Sequence, residues 1–284
     1  MNEIEIRSEG IKMGVVKNLY REKRIVSGNF VEIEITPAFM TKRGKKINVE
    51  DKEFLEGKEI TDEDREKIKK KNKKAYEKRR KKEFIRIAHC NFTENDYVVH
   101  FTYSDDHRPG TLEEAEKEAR NYIRRLNYKR KKKGLDEIKY MLVTEYGQED
   151  TGLQHVHHHM ILNGGLTRDE VEDAWSKRKK SIGYVNARRL QFSSENGLSD
   201  LCNYMLKKPE GKRKWTGSKN LKKPVVKSNY YKWSRRKVKN MIRDGIDNKA
   251  EWENLYKNLY FKNATHVYND WLGDLLYIQF VKKE

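Results

Sequence analysis

From residue 28 to 35 the chain alternates in strand fashion, with Val31, Ile33 and Ile35 set against Glu32 and Glu34. This predicts a half-buried strand, and Pro37, which cannot donate to a ladder, should end it. Residues 62–82 are almost wholly charged and offer very little apolar face, so they read as a solvated helix or a basic arm and mark a boundary. Beyond them the pattern becomes regular. Residues 97–103 read as a strand, and residues 112–132, acidic early and basic late, read as a helix that complements its own dipole. A second strand is expected over 139–144, turning through Gly147 and Gly152 into a third over the run that ends in Met160, Ile161 and Leu162, so that the two form a hairpin. Thr167 and Glu170 have capping-box spacing at the head of a helix expected to include Trp175. A strand over 184–192 and a helix over 198–208, stopped by Pro209, complete the order. Strand, helix, strand, strand, helix, strand, helix predicts an α+β fold, a central and mainly antiparallel sheet with helices on one face, of the split βαβ, ferredoxin-like class.

The third strand carries the candidate chemistry. Four of the eight histidines fall between positions 155 and 159, inside an otherwise apolar run. Side chains alternate along a strand, so His155, His157 and His159 should share one face while Val156, His158 and Met160 take the other. Two imidazoles two residues apart on one face are suited to a divalent cation, and a strand fixes their geometry in a way a flexible tail does not. A terminal tag is excluded by position and by the apolar continuation. Two residues compete for a third ligand position. Glu145 ends the strand that should pair with the histidine strand, whereas His155 lies about 7 Å from His157 by strand rise. A carboxylate also suits Mg²⁺ or Mn²⁺ better than a third imidazole, so Glu145 is preferred. No thiolate ligands are in view, which argues against a closed structural zinc site.

Charge indicates the partner. The 284 residues hold 63 Lys and Arg against 44 Asp and Glu, a formal net charge of +19. A field of that sign points to a polyanion. No stretch approaches the length of a membrane span and no secretory signal opens the chain, so nucleic acid is favoured over a membrane surface and the cytoplasm is the expected compartment. Cys90 and Cys202 are too few for a disulfide framework, consistent with a reducing environment. On the last helix Tyr204 and Lys207 stand three apart, where a phenol and an ammonium can approach one atom together. A tyrosine is a poor nucleophile at its ordinary pKa of about 10, and a cation beside it or a polarised phosphate in front of it would offset that. The basic stretch that follows, Lys212, Arg213, Lys214, Trp215, Lys219, Lys222 and Lys223, is the expected DNA-binding loop, with Trp215 available to stack on a base.

Taken in order, residues 101–106, then His157-His158-His159, then Tyr204-x-x-Lys207 resemble motifs I, II and III of the HUH endonucleases that initiate rolling-circle replication. The likeness is greatest to the Rep proteins encoded by bacterial plasmids, phages and integrative elements, and it extends to residues 142–147, 187–191 and 215–224. One departure stands out: the middle residue of the His-x-His is normally hydrophobic and here is His158. The frame His155-Val156-His157 would restore a hydrophobic middle, but His157 and His159 are preferred as ligands because Met160-Ile161-Leu162 follows directly. The resemblance implies an HUH endonuclease domain over 84–208, preceded by an N-terminal strand region and basic linker over 1–83 and followed by a basic loop and C-terminal extension over 209–284. It further implies a divalent metal, Mg²⁺ or Mn²⁺, on a DNA phosphate, attack by Tyr204, a 5′-phosphotyrosine and a free 3′-hydroxyl able to prime a host polymerase. The partner would be single-stranded DNA at a replication origin, with a host helicase as a further candidate. A relaxase or transposase with one tyrosine, and a non-catalytic DNA-binding protein on the same fold, are the other readings.

Overall fold

The computed structural model describes residues 6–8, 11–41, 62–148, 154–178, 180–207, 214–270 and 272–283. In chain order the first elements are strands β1 (Ile6–Ser8), β2 (Ile11–Ser27) and β3 (Phe30–Thr41), helix α1 (Asp62–Asn91), β4 (Tyr97–Thr102) and α2 (Leu112–Lys132). They are followed by β5 (Tyr140–Gln148), β6 (Gln154–Leu162), α3 (Arg168–Asp173), β7 (Ser176–Lys177), β8 (Lys180–Ser181), β9 (Val185–Arg189) and α4 (Ser199–Met205). The last are β10 (Thr216–Gly217), β11 (Val225–Ser234), α5 (Arg235–Arg243), α6 (Lys249–Leu255), β12 (Leu259–Asn269) and β13 (Gly273–Lys282). The chain divides into two compact units, one of residues 1–72 with 224–284 and one of residues 73–223.

In the first unit the strands lie in the order β1-β2-β3-β13-β12, with β11 also paired to β2 and every pairing antiparallel. The N-terminal region and the C-terminal extension thus contribute strands to a single sheet. Alternation in β3 and β13 places Val31, Ile33, Ile35, Leu276, Ile278 and Phe280 on one face, where they bury Trp233, Val238, Met241 and Trp252. Glu22, buried in this core, accepts hydrogen bonds from Trp233 Nε1 at 2.7 Å and from the Tyr256 hydroxyl at 2.6 Å, which keeps a buried carboxylate satisfied. Contrary to expectation, Pro37 does not end β3. It pairs with Tyr20 beside a break in the β2–β3 register, the kind of irregular position where a missing N–H costs least.

The second unit is built on the sheet β10-β5-β6-β4-β9, again antiparallel throughout. Because β4 and β5 flank β6 and both oppose it, they run parallel to each other with α2 between them in sequence, which is the split βαβ arrangement. The architecture is α+β. Helix α2 begins with Thr111 accepting from the Glu114 amide, and α3 carries the expected Thr167–Glu170 capping box. Trp175, however, lies past the end of α3; it is fully buried and donates from Nε1 to the Thr102 carbonyl at 2.7 Å.

The helices are not confined to one face. On one side Val99, Phe101, Leu142, Met160 and Leu162 pack against Ala119, Tyr122 and Leu126 of α2 and against Val171 and Trp175. On the other, Met141, Val143 and Ile161 pack against Phe84, Ile87 and Ala88 of α1 and Cys202 and Met205 of α4. The expectation failed because the charged run at 62–82 is the front part of a single helix whose apolar end, from Phe84, covers the back of the sheet. Continuous apolar triplets such as Met141-Leu142-Val143 serve both faces at once.

Candidate active site

Pairing fixes which side chains meet. His157 lies opposite Glu145 on β5 and Thr102 on β4, and His159 lies opposite Val143 and His100. Residues opposite one another share a face, so Glu145, His157 and His159 are brought together on the α1/α4 side, and His100 joins them. His157 Nδ1 is 3.0 Å from His100 Nε2, His100 Nδ1 is 3.1 Å from His159 Nδ1, and His159 Nε2 is 3.8 Å from Glu145 Oε2. Burial lowers the His100 pKa, and burial together with the neighbouring His100 and His157 pushes His159 down to about 4. The ring of His159 is therefore neutral near pH 7 and keeps a lone pair for a cation or a proton.

His100 is not among the residues expected from the sequence. It sits alone in the strand 97–102, and only the β4–β6 register reveals that it faces the histidine pair. Its position also constrains the protons. A neutral imidazole has one N–H and one acceptor nitrogen, so His100 cannot accept from the Nδ1–H of both neighbours. With both contacts formed, one of His157 and His159 has its proton on Nε2 and only the other presents an Nε2 lone pair. Among the described residues no three His, Cys, Asp or Glu side chains converge as ligands on a common point. The donor set itself, two imidazoles and a carboxylate on one face, is nonetheless the kind that holds Mn²⁺ or Mg²⁺ once one His100 contact is given up. The side chain of His155 lies outside the described residues.

His158 points the other way, as alternation requires. It is fully buried and stacks on Phe101 with ring centroids 4.7 Å apart. Its Nδ1 is 3.0 Å from Thr144 Oγ1 and its Nε2 is 3.0 Å from the Tyr103 hydroxyl, which in turn donates to the Ala115 carbonyl at 3.2 Å. One assignment satisfies every group: the Thr144 hydroxyl donates to Nδ1, Nε2–H donates to Tyr103, and Tyr103 donates to Ala115. The residue that departs from a hydrophobic middle position is thus a core residue with both nitrogens paired.

Tyr204 projects from α4 with 62% of its surface exposed, its ring edge-on to His159 at a centroid distance of 5.6 Å. Lys207 lies beyond the end of α4, its amide bonded to the Tyr204 carbonyl, and its side chain lines a cleft against α1. It therefore extends from the tail of the helix and does not continue the helical face of Tyr204. Lys212 and Arg213 lie outside the described residues. Lys214 pairs with Glu77 at 3.8 Å. Trp215 is only 9% exposed, with Phe84 edge-on at 5.4 Å and the Arg80 guanidinium over its ring at 4.7 Å, so its faces are taken by the protein and not open to a base. Burial follows from β10, which adds Thr216 and Gly217 to the edge of β5 and draws the preceding tryptophan in. Lys219, Lys222 and Lys223 are exposed on the loop beyond, which is tied to the end of α1 by two hydrogen bonds between Asn91 and the Lys222 backbone.

No helix among the described residues is long and apolar enough to cross a membrane. Comparison with curated proteins and with solved structures finds no match. Residues 96–209 match the model of the replication-associated protein ORF2 family. That span contains His100, Glu145, His157, His159, Tyr204 and Lys207, and through it the chain is identified as a rolling-circle Rep protein of this replication-associated family.

Proposed function

We propose that this Rep protein nicks single-stranded DNA at a replication origin by attack of Tyr204 on a phosphodiester. The observation that carries the reading is the position of an exposed phenol against the buried face that presents Glu145, His100, His157 and His159. In the reaction the Tyr204 oxygen bonds to phosphorus and the phenolic proton leaves to a base. The bond from phosphorus to the 3′ oxygen breaks, and that oxygen takes up a proton. The products are a 5′-phosphotyrosine and a free 3′-hydroxyl. Because one phosphoester replaces another, the step is reversible and the free end can prime a polymerase. A divalent cation, Mg²⁺ or Mn²⁺, held by His157, His159 and Glu145 would polarise a non-bridging phosphate oxygen. His100 orients the two histidines through their Nδ1 atoms, the usual task of a group hydrogen-bonded behind a ligand. Lys207, at the tail of α4, adds positive charge near the phosphate.

Incubation of the protein with pooled single-stranded oligonucleotides and Mn²⁺ should give a covalent adduct on a denaturing gel. Metal titration of that adduct tests the ligand set. Glu145→Ala should raise the Mn²⁺ concentration for half-maximal adduct by about two orders of magnitude, and His100→Ala by about tenfold. His155→Ala should change it little. A larger effect of His155→Ala than of Glu145→Ala would transfer the third position to His155 and favour the shifted histidine frame.

A further inference from the structure

The second half of α1 and the segment running from the end of α4 to β10 enclose a cleft of about 380 Å³. On the α1 wall Lys74, Lys78 and Lys81 recur at intervals of four and three residues, so they form one stripe along the helix. Arg80 stands beside them, bonded to Glu83 at 2.6 Å and laid over Trp215. The opposite wall supplies Lys207 and Lys214. Against these six cations the lining holds a single carboxylate, Glu77, which Lys214 engages. Like charges so placed repel one another, and nothing in the packing of α1 requires them, because its contribution to the core begins at Phe84. The indole Nε1–H of Trp215 at the same wall is buried and has no hydrogen-bond partner. A cleft of this size takes a short stretch of one strand, whereas a duplex could only rest on its rim.

We propose that this cleft is a track for the phosphate backbone of single-stranded DNA, delivering the strand to the Tyr204 side of the sheet, with α1 as its principal wall. The inference rests on the nicking reading only for the destination of the strand. Its contacts are ionic and sequence-independent, so their signature is salt dependence: each phosphate of a single strand that is neutralised adds about 0.7 to the slope of log affinity against log salt.

The test is an anisotropy titration of a labelled mixed-sequence single-stranded oligonucleotide with the full chain at several KCl concentrations. It is run in the Tyr204→Phe protein without added metal, so that the readout is independent of cleavage. Lys74→Gln/Lys78→Gln/Lys81→Gln should lower the salt slope by about two and weaken binding at fixed salt by roughly 10- to 100-fold. The control, Lys117→Gln/Lys131→Gln/Lys132→Gln on α2, removes the same charge from exposed positions on the helix that covers the other face of the sheet. It should leave the slope nearly unchanged. Equal slopes for the two triple variants would overturn the track, and an equal loss for the same oligonucleotide in duplex form would overturn the single-strand assignment. Matching unfolding midpoints confirm that the exposed substitutions leave the fold intact. A protein that binds as expected here but forms no adduct when Tyr204 is restored would refute the nicking reading and leave the track standing.

Discussion

Tyr204→Phe is expected to abolish the covalent protein–DNA adduct while leaving single-strand affinity essentially unchanged. The substitution removes one oxygen and keeps the ring, so the edge-on contact with His159 survives and only the bond-forming atom is lost. The phenol is exposed on a helix, and its hydroxyl has no structural task that would confuse loss of chemistry with loss of fold. Denaturing gels read the adduct and anisotropy reads the affinity. Lys207→Ala should be milder, lowering the cleavage rate by roughly two to four orders of magnitude at most, because it removes charge stabilisation and not the nucleophile. An undiminished adduct from Tyr204→Phe would place the nucleophile on another tyrosine and dismantle the proposed geometry.

The second large effect is expected at a residue that touches no substrate. His158→Ala should lower the unfolding free energy by about 2–4 kcal/mol. It empties a buried ring site against Phe101 and strands the Thr144 and Tyr103 hydroxyls in the core. Denaturant midpoints measure the loss, and a midpoint equal to that of the unsubstituted protein would mean that the network contributes nothing. The same residue predicts a pH response. Burial first, and then His159, His157 and His100, push its pKa from 6.5 down to about 3. The folded state therefore prefers the neutral ring more strongly than the unfolded chain does. Its stabilisation is complete above pH 6.5 and is lost as the pH falls toward about 3. Stability of the unsubstituted protein should fall through this window more steeply than that of His158→Leu, whose side chain does not titrate.

Much of this is legible in the chain. Alternation assigns His157 and His159 to one face and His158 to the other, and the bounds of α2 and the α3 capping box follow from local rules that tertiary contacts do not override. What local rules cannot supply is register and layering. His100 is an ordinary strand residue until β4 is set against β6, and the apolar end of α1 is masked by the charge in front of it. Trp215 misleads for the same reason. Its neighbours are lysines and arginines, which suggest solvent, but a two-residue strand on the edge of β5 pulls it under Arg80 and onto Phe84. The second layer does leave a trace, in the unbroken apolar triplets of β5 and β6, which one buried face alone would not need.

Three consecutive histidines followed by three consecutive apolar residues carry a hazard during folding. If β6 slipped by one residue against its neighbours, an imidazole would still stand at every position where one is required, and a hydrophobic side chain would still enter each core. Composition barely distinguishes the two frames. What separates them is the pair of hydroxyls, on Thr144 and Tyr103, that meet an imidazole from both ends in the native frame. These two side chains therefore act as a checksum on strand alignment. A chain without them would hold its histidines yet fold into a mixture of frames, in one of which the metal-facing and core-facing rings have exchanged places.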